Sequence, residues 1–99
     1  MVVVWSSLAE EQLNKELDYY EDNVSPLAAQ KLLEMLKAST DRLSAFPQLG
    51  FLVEENPLYR ILIEGHYKIV YSVEDEQIRI AFFFNTWQES SKLNVFIEK

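Results

Sequence analysis

YRILIEGHYKIVYSVEDEQIRIAFFF, residues 59–84, holds three runs rich in Ile, Val, Tyr and Phe, parted by two short polar breaks. β-Branched and aromatic residues suit a pleated, half-buried surface, and polar breaks between such runs carry turn chemistry. The stretch therefore reads as a three-stranded antiparallel meander, with strands at Tyr59 to Ile63, Tyr67 to Val73 and Ile78 to Phe84. Side chains alternate along a strand, so Tyr67, Ile69, Tyr71 and Val73 share one face of the middle strand. With Glu64-Gly65-His66 as the first loop, Ile61 and Ile63 join that face. With Asp75-Glu76 as the second turn, Ile78, Ile80, Phe82 and Phe84 join it too. The opposite face then collects Arg60, Leu62, Lys68, Val70, Ser72, Arg79, Ala81 and Phe83. That mixture of cations and apolar groups marks it as the face on which function is expected.

Working outward from the meander, Val2 to Trp5 is a short β-type run that adds a fourth strand. Ser7 and Glu10 have capping-box spacing, which predicts a helix start there. Leu8, Leu13, Leu17, Tyr20 and Val24 recur at roughly helical intervals. Lys15, Glu16, Asp18 and Glu21 fall mostly outside that stripe and read as a solvated face. Ser25-Pro26 restarts the chain as N-cap and first helical residue. Leu32, Leu33, Leu36, Leu43 and Phe46 then make a second stripe, with Ala29 and Met35 near it, and Pro47 ends the helix. Pro47 to Gly50 reads as a turn, and Phe51 to Leu58 as an irregular connection. Residues 85–91 form a polar loop around Trp87. Lys92 to Lys99 alternates weakly and reads as a final strand or a tail, which could fold over the second face. The expected fold class is α+β: an N-terminal strand and a helical hairpin packed on a mainly antiparallel sheet, in one domain spanning residues 1–99.

Composition narrows the function classes. The chain has 99 residues, 48% of them hydrophobic, and a formal net charge of -7. An acidic chain repels phosphate backbones, so broad nucleic-acid binding and direct DNA binding are disfavoured. Without cysteine there are no disulfides or thiolate metal sites. One histidine and carboxylates without ligand spacing give no metal site, and nothing calls for a cofactor. No apolar run has membrane-spanning length and the start is not a secretory signal, so a cytoplasmic location is expected.

Four phrases carry a family resemblance: VVWSSLAEEQL (residues 3–13), RLSAFPQLG (42–50), YRILIEGHYKIVYSVED (59–75) and FFNTWQ (83–88). Taken in order they resemble the RelE/ParE superfamily of bacterial toxins, nearer its ParE and plasmid-stabilisation branch. The resemblance implies the toxin half of a type II toxin–antitoxin pair, with a small cognate antitoxin as partner. ParE-like members poison DNA gyrase by protein contact, whereas RelE-like members cut messenger RNA on the ribosome. By position, Arg60 and Lys68 keep the positive charge of the ribonuclease site, and they are the catalytic candidates if the chain is RelE-like. Leu62 stands where ribonuclease members carry a second lysine, Trp87 where an arginine is expected, and Leu93 near the place of a tyrosine.

Phosphodiester cleavage needs a base, an acid and cations on the phosphate. With three expected groups missing, a ParE-like action through protein contact is the favoured expectation. The contact residues would be Arg60, Leu62, Lys68, Val70, Ala81, Phe83 and Trp87. The alternatives are a ribosome-dependent endoribonuclease and a degenerate, non-toxic binding module. His66 reads as a solvated turn histidine, and Tyr67 and Tyr71 as packing residues. Arg60 and Lys68 also admit ordinary surface pairing with Glu64 or Glu74. The target and the oligomeric state stay open, a homodimer included.

Overall fold

The structure, a computed structural model, describes residues 1–87. In chain order it has β1 (Val2–Trp5), α1 (Ser7–Asn23), α2 (Pro26–Ala45), β2 (Phe51–Leu52), β3 (Tyr59–Glu64), β4 (Tyr67–Glu74) and β5 (Gln77–Asn85). The strands form one sheet in the order β1-β5-β4-β3-β2. Every pairing is antiparallel except β1 with β5, which is parallel because the helical hairpin intervenes. This is the expected α+β layout, two helices on one face of a mixed sheet. The expected irregular connection includes the two-residue edge strand β2. The final strand or tail expected for Lys92 to Lys99 lies outside the described residues.

The helix boundaries follow the capping chemistry. Ser6, rather than Ser7, caps α1: its hydroxyl accepts from the Ala9 amide at 3.0 Å. Ser25 caps α2 in the same way through the Ala28 amide, with Pro26 at the first helical position. Phe46 closes α2, immediately before Pro47.

Register is where the structure departs from simple alternation. The hairpin between β3 and β4 closes in two residues, Gly65-His66, with Gly65 at φ 59°. Glu64 then faces Tyr67, Leu62 faces Ile69 and Arg60 faces Tyr71. The expected three-residue loop would have placed Ile63 and Ile61 there, so β3 is turned over by one position. A β-bulge supplies the second departure. Val70 pairs with Phe82 but Tyr71 pairs with Ile80, leaving Ala81 as the extra residue of β5. Beyond it the alternation inverts, so Phe83 joins Ile78 and Ile80 on the helix side while Phe82 and Phe84 fall on the other.

The bulge is fastened to α1. The Ser6 hydroxyl donates to the Ala81 carbonyl at 2.8 Å, the Ser6 amide donates to the Ile80 carbonyl at 2.9 Å, and the Phe83 amide donates to Gln12 Oε1 at 2.8 Å. Groups that the interrupted ladder leaves free are thus satisfied by the helix.

The main core lies between helices and sheet. Leu32, Leu36 and Leu43 meet Leu62, Tyr67, Ile69, Tyr71, Ile78, Ile80 and Phe83, with Val3, Trp5, Leu13 and Leu17 at its margin. A smaller cluster on the opposite face joins Val53, Ile61 and Val70, with Tyr59, Phe82 and Phe84 packed against it. From the central strand β4, Tyr71 secures the turn after α2: its hydroxyl donates to the Pro47 carbonyl and accepts from the Gly50 amide, both at 2.8 Å.

Candidate functional site

The register divides the residues expected to share one functional face. Leu62 and Phe83 are buried under the helices, at 8% and 0% exposure. Val70 lies on the far face but is fully buried within the smaller cluster. Ala81 is taken up by the bulge. Lys68, half-buried, remains on the far face between Ile63 of β3 and Phe84 of β5. Arg60 lies on the helix side, opposite Tyr71. The two cations carried over from the ribonuclease pattern therefore point to opposite sides of the sheet.

Arg60 also does not pair with Glu64. Its Nη1 donates to the Gly50 carbonyl at 2.8 Å and to the Gln48 carbonyl at 3.4 Å. Glu64 pairs instead with Arg42 of α2. The guanidinium thus sits against the turn that follows α2, where the helix dipole and loop carbonyls favour a cation. It borders a cavity of about 680 Å³, walled by Met1, Phe46, Pro47, Leu49 and Val73. Phe46 and Leu49 are 66% and 46% exposed, large apolar side chains left out of the core. Sequence reasoning placed Phe46 in the helix stripe and missed this cavity. Its one visible signal is the Phe-Pro step, which ends α2 just as the stripe reaches that residue.

A second constellation gathers at the opposite end of β3 and β4. The Tyr67 hydroxyl lies 3.0 Å from Glu16 Oε2 and 2.8 Å from the Tyr20 hydroxyl, and the latter lies 3.2 Å from His66 Nε2. A carboxylate only accepts. Tyr67 therefore donates to Glu16, Tyr20 donates to Tyr67, and His66 donates through Nε2 to Tyr20. This order places a proton on His66 Nε2. Burial first, then the hydrogen bonds to Tyr20 and Glu16, push the Tyr67 phenol far above its ordinary range. Burial also raises Tyr71, opposed by the Gly50 amide and the Arg60 charge.

His66 is accordingly half-buried rather than a free turn residue. Its ring stacks on Trp87 with centroids 3.9 Å apart and planes 4° from parallel. Trp87 nevertheless stays 78% exposed. No spacing in the sequence announces this group, because Glu16 and Tyr20 come from a helix and the others from two strand ends.

Among the described residues no group of three or more His, Cys, Asp or Glu could hold a metal ion. No helix among them is long and apolar enough to cross a membrane.

Known proteins resemble this chain in sequence pattern and in fold. The sequence model of a family described as "ParE toxin of type II toxin-antitoxin system, parDE" matches residues 3–85. Among solved structures, a chain of the chromosomal ParDE toxin–antitoxin system from P. aeruginosa superposes with a TM-score of 0.72 at 22% identity, over 86% of this chain and 95% of that one. A chain of the RelBE2 toxin–antitoxin complex from Mycobacterium tuberculosis superposes with a TM-score of 0.61 at 18% identity, over 85% and 95% respectively. At such identities the likeness is one of fold. No match is found among curated proteins.

Proposed function

The chain belongs to the ParE toxin family of type II toxin–antitoxin systems, and from that premise we propose that it arrests growth by gripping a protein target and is silenced by a cognate antitoxin. The target class is DNA gyrase, as the resemblance to ParE-like toxins implies. The observation that carries this choice over RNA cleavage is the placement of Arg60 and Lys68 on opposite faces of the sheet. Two cations can neutralise one scissile phosphate only when both reach it, and these are parted by the sheet itself. The formal charge of -7 adds a general repulsion toward RNA. A protein surface makes no such demand. Trp87 is an exposed aromatic anchor of the kind that dominates protein contacts, and Lys68 offers a cation among apolar neighbours.

The test is controlled expression followed by two assays on purified protein. We expect growth arrest relieved by the small reading frame encoded beside the gene, and inhibition of plasmid supercoiling by purified gyrase. Messenger RNA on ribosomes stays intact. Ribosome-dependent cleavage that Lys68→Ala abolishes would overturn the proposal, as would unhindered growth at high expression without the antitoxin.

A further inference from the structure

We propose that the cavity beside Arg60 is a binding site for a carboxylate carried on an apolar body, supplied by an acidic residue with an aliphatic or aromatic neighbour on a partner protein. Only the identity of that partner, the antitoxin, rests on the toxin–antitoxin reading; the site itself does not.

Three observations converge on the chemistry. The first is an unbalanced charge. The chain holds 16 acidic residues against 9 basic ones, yet among the described residues no carboxylate pairs with Arg60. Its acceptors are the neutral carbonyls of Gln48 and Gly50. Those two bonds use Nη1 and fix the plane of the group, while among the described residues the other guanidinium N–H donors remain to be used. A planar fork held in one orientation is suited to a carboxylate and has little freedom left to lose on binding.

The second is the wall. Phe46, Pro47, Leu49 and Val73 line the cavity, and Phe46 and Leu49 are large apolar side chains left largely in solvent. An apolar group laid against them removes that surface from water. It also lowers the local dielectric around the guanidinium, which strengthens the pairing with a carboxylate.

The third is selection against other anions. One tethered guanidinium matches a single negative charge, whereas a polyphosphate or an RNA backbone meets one cation and a strongly acidic protein. A short acidic-apolar segment of a protein brings one carboxylate and its own apolar surface together.

The experiment uses the full chain, labelled with nitrogen-15, and records amide spectra while phenylacetate is added. Phenylacetamide, its uncharged analogue of nearly equal shape, is the control. We expect saturable shifts confined to residues 45, 46, 48–50, 60 and 73, with phenylacetate binding about tenfold tighter than the amide. Arg60→Gln removes that preference without weakening the amide. Leu49→Glu, which sets a carboxylate into the cavity, blocks both probes while the spectrum stays dispersed. Equal binding of both probes, shifts elsewhere, or no saturation overturns the site.

The occupant is tested by co-purification with the antitoxin. Arg60→Gln and Phe46→Ser should each weaken the complex by about tenfold or more in folded protein. An undiminished complex for both variants overturns the assignment of the partner. Phenylacetate binding needs neither growth arrest nor gyrase, so failure of the probe assay and failure of the toxin reading are separate results.

Discussion

At the scale of single residues, the two glycines illustrate different reasons for the same choice. A Cβ on Gly50 would lie 2.7 Å from the Ile61 carbonyl oxygen and 2.8 Å from a ring carbon of Tyr71. A Cβ on Gly65 would meet nothing within 4 Å, but its φ of 59° strains any L side chain. Gly65→Ala should therefore cost about 1 kcal/mol, the usual penalty of a left-handed backbone. Gly50→Ala should cost about 3 kcal/mol, because backbone must move and the Tyr71 latch with it. Urea unfolding of the two variants measures both. Tyr71 and Tyr67 make the second prediction at this scale. Both phenols are raised above their ordinary value of 10.0, Tyr67 far more. Below about pH 10 both states keep these protons, and the contribution to stability is complete. Above it the unfolded chain loses protons that the folded chain retains, so stability falls as pH rises. Chemical unfolding between about pH 9 and 12 should show this loss, and Tyr67→Phe should make it shallower. Tyrosinate absorbance from these two residues should appear together with unfolding.

At the scale of elements, the contrast between the two helix caps is informative. Among the described residues the Ser25 side chain only caps α2, whereas Ser6 caps α1 and also donates to the bulge at Ala81. Ser25→Ala should cost about 1 kcal/mol, the ordinary worth of a cap. Ser6→Ala should cost about 2 kcal/mol, since the Ala81 carbonyl loses its partner as well. Thermal and urea unfolding of both variants decide the ordering. The same elements explain what was legible in advance. The three meander strands, the β1 strand, both helices and the Ser25-Pro26 start were all readable, because periodicity and capping are local. The two sheet faces were not. A loop shorter by one residue turned β3 over, and the bulge at Ala81 inverted the end of β5. In the run Ala81-Phe82-Phe83-Phe84 either parity presents an aromatic residue to the core, so alternation cannot choose between them. What chooses is α1: Ser6 and Gln12 supply hydrogen bonds to the displaced backbone.

At the scale of the whole molecule, the family and architecture were legible while the site was only partly so. Ordered phrases survive as a recognisable set, but the role of a residue depends on which side of the sheet it occupies. Arg60 and Lys68 were expected to act on one phosphate, yet their side chains have separate surroundings. The stacking of Trp87 on His66 needed three dimensions to appear. The parallel pairing of β1 with β5 has a consequence for synthesis. Val3 lies beside Ile78 and Trp5 beside Ile80, partners about 75 positions apart in the chain. While a ribosome is still making the meander, the first strand has nowhere to dock and the two helices have only part of their floor. Contacts of such long sequence separation form late, after the intervening segments are available. A chain broken off before Gln77 therefore leaves β1 without its neighbour, and the sheet closes only once β5 has been made.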